Sequence, residues 1–380
     1  MRGHVSSYQT KTRGRRWRIV FDAPPGPDDE RRRTTRRGFR TKEEAERALR
    51  EALGSVEDGT HIHPSTVTVE AYLRTWLAGC RVRPSTQVRY RQSIECHLNP
   101  FIGGIRLQQL TTEDLDRCYR TLEVEGGRRS QGLAAKTICN AHGTLHQALE
   151  DAMKRGYVVR NVASYANPPK VERHPMSVWS PEQLRRFLEH VADDRLFAMW
   201  VTYATTGLRR GELLGARWDA LDLEARRLTM DRTVGVVDGR PVVGQPKTHA
   251  GRRMISLDAG TVAILSDHRR RQLAERLAAG PAWHDDDLVF CWEDGTPIHP
   301  HNPTRWFREF TEELGLPHIR LHGLRHTYAT VALKAGVDIK VLSVRLGHAS
   351  STITRELYQH VTPEMDEDAA TAIAAAIFGK

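Results

Sequence analysis

Two interruptions constrain this chain more than any other feature. Asp58 to Ser65 (DGTHIHPS) and Asn167-Pro168-Pro169-Lys170 are rich in residues that stop helices and strands, and neither carries an apolar period. They divide 380 residues, too many for one ordinary domain, into three stretches. Each stretch must then bury a core of its own. The expected domains are 1–60, 66–168 and 174–380.

The first stretch reads as a small α+β module. Trp17, Ile19 and Phe21 alternate with polar neighbours, which is the period of a half-buried strand. Pro24-Pro25-Gly26-Pro27 predicts a turn, and Thr34 to Phe39 predicts a returning strand. Thr41 is placed to cap a helix, with Glu44 three residues later as its capping-box partner. Ala45, Ala48, Leu49, Ala52 and Leu53 would form the buried stripe. Charge is concentrated here. Residues 1–40 hold twelve Lys/Arg against four acids, an excess of eight in a chain whose formal net charge is +10. With a pI of about 9.6, a polyanion is the expected partner.

The second stretch predicts an all-α domain. Val69, Leu73, Trp76 and Leu77 mark one helix; Pro84-Ser85-Thr86 opens another that runs through Tyr90 and Ile94. Thr111-Thr112-Glu113-Asp114 caps a third carrying Leu115 and Tyr119, and a fourth spans about Ala134 to Met153.

The third stretch opens with Ser180-Pro181-Glu182-Gln183, a serine cap followed by proline and glutamine at favoured positions. Trp200 to Leu214 reads as helix interrupted at Thr206-Gly207, which would set Arg209 and Glu212 on one face. Leu228–Val237 and Arg240–Val243 flank Asp238-Gly239, a hairpin signal. Arg253 to Leu257 is expected as a third strand, leaving Lys247 in a turn between strands. His322 and Arg325 stand three apart at a helix start, where free N–H groups favour a phosphate. Asp338 caps a further helix that ends at Gly347, and His348 follows at once. Ser350-Ser351-Thr352 would cap a short helix carrying Tyr358, and Ala369 to Ile377 an Ala-rich terminal one.

Several classes are excluded. The five cysteines are odd in number and show no Cys-x-x-Cys spacing, so neither a disulfide framework nor a zinc site is expected. No run of about 18 apolar residues and no apolar N-terminal stretch is present, so neither a membrane span nor a secretory signal is expected. A cytoplasmic, nucleoid-associated protein is expected.

Each site residue has a plain reading on its own: Arg209 as half of a surface ion pair with Glu212, Lys247 as a surface lysine, His322 as a structural histidine, Tyr358 as a packing residue. The ordered set is more telling. Arg in Thr-Gly-x-Arg-x-x-Glu-Leu, Lys after a hairpin, His-x-x-Arg, Leu-Gly-His, and a tyrosine ten residues beyond that histidine resemble the tyrosine recombinase (phage integrase) family. The resemblance spans about residues 66 to 362, and spacing to Gly207 and Glu212 selects Arg209 over Arg210. Residues 1–60 are similar to the arm-type DNA-binding module that many integrases carry.

The resemblance implies a multidomain, mainly α protein with small β-sheets. Its parts would be an arm-binding module, a SAM-like core-binding domain, and a mostly α catalytic domain with a three-stranded sheet. It implies that Arg209 and Arg325 hold the scissile phosphate while His322 and His348 hydrogen-bond to it. Lys247 would protonate the leaving oxygen and Tyr358 would attack phosphorus. Neither a metal nor a nucleotide is implied, and the chain has no Gly-x-x-x-x-Gly-Lys-Ser/Thr loop. Double-stranded DNA with core and arm sites and a homo-tetramer on that DNA are the implied partners; whether an excisionase or a host bending protein is needed stays open. A regulator on a non-catalytic scaffold, a type IB topoisomerase-like enzyme and a chromosome-dimer resolvase are the alternatives.

Overall fold

The computed structural model describes residues 3–10, 14–23, 32–58, 62, 64–127, 131–172, 176–245, 251–348, 352, 370–371, 373–375 and 377–378. The chain divides into two compact units, Met1–Glu172 and Arg173–Lys380.

The first unit begins with an antiparallel sheet of β1 (Gly3–Thr10), β2 (Gly14–Ala23) and β3 (Arg32–Phe39), in the order β1-β2-β3. Alternation in β2 sends Trp17, Ile19 and Phe21 to one face, where α1 (Lys42–Glu57) covers them. Ile19 and Phe21 are buried against Ala45, Ala52 and Val56. The other face carries Arg16 and Arg18, and the register places Arg37 across from Arg18. Thr41 caps α1 as expected, accepting from the Glu44 N–H at 3.1 Å. The Glu44 carboxylate reaches back to the Arg40 N–H at 2.8 Å, one residue before the cap. Strand β1 has no counterpart in the expectations. Its apolar content is too thin to announce a strand; Val5 alone packs on this core, and pairing with β2 supplies what propensity does not. The turn expected at Pro24–Pro27 lies outside the described residues.

Helices then take over. They are α2 (Val69–Gly79), α3 (Pro84–Gln92), α4 (Asn99–Ile102), α5 (Thr112–Glu125) and α6 (Ala135–Lys154). A π-helical turn at Ser93–Leu98 joins α3 to α4. Thr111 caps α5 with a complete capping box closed by Asp114. Helix α6 is the axis of this core, because Ala141, Ala148 and Ala152 let neighbouring helices approach it closely. Two buried aromatics of α2 are pinned to it by polar handles. Tyr72 donates to the Ala148 carbonyl at 3.0 Å, and Trp76 Nε1 donates to Asp151 Oδ2 at 2.8 Å.

The second unit contains α7 (Pro181–His190), α8 (Phe197–Thr206), α9 (Arg210–Leu214), β4 (Leu221–Asp222), β5 (Arg227–Met230), β6 (Thr233–Val237), β7 (Arg240–Gly244) and β8 (Arg253–Ser256). Helices α10 (Ala259–Ala279), α11 (His301–Glu313), α12 (Leu321–Lys334) and α13 (Ile339–Leu346) follow. Trp179, Phe187, Trp200 and Phe307 form an aromatic centre with ring centroids 5.2–6.3 Å apart. A three-stranded sheet is present, but it is built from β4, β5 and β8. The stretch expected as one strand, Leu228 to Val237, divides at Asp231-Arg232, and β6 pairs with β7 in a separate hairpin. Asp238 and Gly239 turn that hairpin with φ of 46° and 78°, as an Asp-Gly turn requires. At the C-terminus, residues 370–371, 373–375 and 377–378 are helical and exposed.

The helices of the second unit converge at Gly207. It ends α8 in the left-handed region, with φ 61°. A Cβ there would collide with the Tyr328 ring of α12 and stand 3.0 Å from Leu346 Cδ2 of α13. Gly207→Ala should therefore cost at least about 1–2 kcal/mol from backbone conformation alone, with the steric clash added. A urea unfolding curve read through tryptophan fluorescence checks this; an unchanged midpoint refutes the packing described.

Candidate active site

Arg209 is the first residue of the site. Gly207 stops α8, so Arg209 does not lie on a helix face with Glu212 as expected. It occupies the cap position before α9, with extended backbone (φ −71°, ψ 145°). The pairing survives because a cap residue and the third residue of its helix are neighbours. The Arg209 N–H donates to Glu212 Oε2 at 3.0 Å, and Nη1 donates to Oε1 at 2.8 Å. The Arg209 side chain keeps 40% of its exposure while Glu212 keeps 5%. One end of the pair is thus sunk in protein and the other faces solvent.

Glu212 has a second partner that sequence reasoning missed. Arg253, on β8, grips the same carboxylate with Nη1 at 3.1 Å and Nη2 at 2.9 Å. A signal for it exists in the sequence. Arg253 and Ile255 share a strand face, and Ile255 is buried, so a cation sits at an inward-facing position. Burial alone would push the Glu212 carboxyl up. Hydrogen bonds and charge from Arg253, then the backbone N–H and charge of Arg209, outweigh it and hold the carboxyl below the usual range.

Arg325 arrives from α12. It is nearly fully buried, and its fork donates to the Gly207 carbonyl and the Leu346 carbonyl, both at 2.7 Å. The second acceptor belongs to a pattern. Three consecutive carbonyls at the end of α13 are each taken by a different guanidinium: Arg345 by Arg253 Nε at 2.6 Å, Leu346 by Arg325, and Gly347 by Arg209 Nη2 at 2.8 Å. Helix C-termini present unsatisfied carbonyls and a partial negative charge, so cations gather there.

The same helix end aims His348. Gly347 is left-handed (φ 66°), and the His348 N–H donates back to the Ser343 carbonyl at 3.1 Å. His322 lies in the first turn of α12, with its ring 4.9 Å from that of His326 in an edge-on contact. His322 is exposed by area but walled by protein on its other sides. That loss of solvent, followed by the charges of His326, Arg325, Arg209 and Arg210, lowers its pKa to about 4. Burial, followed by Arg325, Arg209, Arg253 and His326, lowers His348 to about 4 as well. The same two guanidinium groups, Arg209 and Arg325, bear on both imidazoles. Four of the six expected residues therefore share one electrostatic neighbourhood, in which both histidines are neutral near pH 7. Lys247 and Tyr358 lie outside the described residues.

Three family descriptions match the chain. The phage integrase family matches residues 178–365, an arm DNA-binding domain residues 6–56, and a phage integrase N-terminal SAM-like domain residues 68–122. The chain belongs to the tyrosine recombinase (phage integrase) family and is a tyrosine recombinase. A tyrosine recombinase XerC-like protein of Caldanaerobacter subterraneus is 28% identical, covering 90% of this chain and 92% of its own. Among solved structures, the Tn1549 transposon integrase in complex with transposon right end DNA is 22% identical with a TM-score of 0.67, covering 81% of this chain and 100% of that one. A lambda integrase tetramer bound to a Holliday junction is 16% identical with a TM-score of 0.53, covering 91% and 96%. At such identities these structures establish the fold. No helix among the described residues is long and apolar enough to cross a membrane.

The depressed histidines predict a pH dependence. Between the unfolded value of about 6.5 and the folded value of about 4, the unfolded chain binds more protons. Stability is then complete above that window and falls as pH drops through it. Glu212 acts lower, contributing above the ordinary carboxyl range and losing that contribution as pH falls through its depressed pKa. Urea midpoints at pH 7.5 and 5.0 should differ less in a His322→Asn/His348→Asn double variant than in the parent; an equal difference removes the basis for this assignment.

Proposed function

We propose that this chain is a site-specific DNA recombinase that integrates a phage or other mobile element, excises it in the reverse reaction, and cuts DNA through a 3′-phosphotyrosine. The observation that carries the reading is the convergence of Arg209, Arg325, His322 and His348, drawn from three segments, beside the end of α13. Such a cluster suits a phosphodiester whose negative charge grows at the transition state. Arg209 and Arg325 bind the two non-bridging oxygens and offset their charge. His322 hydrogen-bonds to the phosphate and helps to accept the phenolic proton, and His348 donates to a phosphate oxygen. Tyr358 attacks phosphorus as the bond to the 5′ oxygen breaks, and Lys247 gives that oxygen its proton. A 5′-hydroxyl from a partner strand then reverses the step and releases the tyrosine. The phosphodiester energy is conserved in the intermediate, so the balance requires neither nucleotide nor metal.

Residues 1–60 grip arm sites through the arginine-bearing face of their sheet, residues 66–168 bind the core site, and residues 174–380 cut it. Four protomers assemble on two duplexes at the nucleoid and exchange strands through a Holliday junction. The transposon-end and Holliday-junction complexes of the two structural neighbours support these assignments by analogy.

A core-site duplex nicked next to the scissile phosphate traps the covalent product, because the short leaving strand diffuses away. The parent should accumulate protein–DNA adduct, Tyr358→Phe should form none, and Arg209→Ala should slow its formation by about 10²–10³. Adduct formed by Tyr358→Phe rejects the nucleophile. Deleting residues 1–60 should weaken arm-DNA binding and flatten its salt dependence, since fewer counterions are released. Full arm-DNA affinity in the truncated protein refutes the module's role.

A further inference from the structure

The three-way contact among Glu212, Arg209 and Arg253 assigns a role to a residue outside the catalytic set. Glu212 and Arg253 each keep only 5% of their side-chain exposure. The Arg253 guanidinium is occupied on every side: Nε donates to the Arg345 carbonyl, Nη1 to Glu212 Oε1 and, at 3.4 Å, to the Gly251 carbonyl, and Nη2 to Glu212 Oε2. All three of its nitrogens are held by protein acceptors. Arg209 differs. Its contacts to Glu212 and to the Gly347 carbonyl occupy part of its fork, and the side chain stays 40% exposed.

The charges decide what this means. Glu212 alone against Arg209 would make a neutral pair, with the guanidinium drawn to the carboxylate and its charge spent there. A buried carboxylate demands a partner, because leaving it unpaired is costly. Arg253 meets that demand with a two-pronged grip, so one carboxylate faces two guanidinium groups and a net positive charge remains. The exposed member is Arg209, so the surplus is displayed where a phosphate can use it. Lysine keeps the charge but lacks the planar fork that matches both carboxylate oxygens at once.

We propose that Arg253 is a positioning residue: by neutralising Glu212 and tying it to the end of α13, it frees the charge of Arg209 for the scissile phosphate. The proposal rests on the recombinase reading above, and deepens it by naming what sets the strength of its first arginine.

The test uses full-length protein and two core-site substrates, one with the natural scissile phosphate and one with a methylphosphonate there, which removes one negative charge. If the parent and Arg209→Ala behave as stated earlier on the natural substrate, the reading itself holds and the comparison isolates Arg253. Arg253→Met should slow single-turnover cleavage by about 10²-fold while core-DNA Kd changes less than about threefold. The deficit should shrink at least tenfold on the methylphosphonate, because less cationic charge is needed there. Arg253→Lys, which keeps the charge but not the grip, should fall between Met and the parent. In an Arg209→Ala background, Arg253→Met should cost little more. An equal deficit on both substrates, or an undiminished cost without Arg209, overturns the proposal. Should Arg253→Met fail to fold, the same comparisons with Arg253→Lys decide, and a Lys variant equal to the parent overturns it too.

Discussion

The second unit depends on the end of one short helix. Helix α13 finishes with three carbonyls that its own backbone leaves without helical partners, and guanidinium groups from β8, α12 and the α8–α9 connection satisfy them. Those three segments lie far apart in the chain. Their only shared need is a concentrated acceptor, and the helix terminus supplies three in a row. The result is a dense positive cluster assembled before any substrate arrives. Preorganisation of this kind matters because charges already in place need not be reoriented when the phosphate develops its own charge.

A cluster of like charges must be held against its own repulsion. Glu212 provides the central counter-charge, and its burial makes the bonds to Arg209 and Arg253 strong. The histidines respond to the same field by remaining neutral. Neutral imidazoles add hydrogen-bond capacity without more repulsion, and a bound phosphate would pull their pKa values back up. At the other end of the chain, the N-terminal sheet is organised differently. One face is committed to the Ile19–Phe21 core, and the other carries Arg16, Arg18 and Arg37.

Much of this was legible from residue order. Caps at Thr41, Thr111, Ser180 and Asp338 fixed the starts of four helices, because a hydroxyl or carboxylate at that position has a local job independent of the rest of the fold. The Asp238-Gly239 turn was legible for the same reason: its backbone angles suit few other residue pairs. What misled was non-local. Strand β1 forms because β2 offers it an edge, and the division between β5 and β6 follows from sheet pairing that adjacent residues do not encode. The Arg209–Glu212 pair was expected, but on a helix face; the left-handed Gly207 moved it to a cap.

By itself, the sequence determined the family and the starts of the capped helices, since these rest on residue types at short spacings. Only the tertiary structure decided which cations meet. Arg253 lies 41 residues from Glu212, and Arg325 lies 118 from the Gly207 carbonyl it binds. No local pattern sets those distances. They follow from the packing of α8, α12 and α13 around a glycine with no room for a side chain, which brings orphaned carbonyls and distant guanidinium groups to one point.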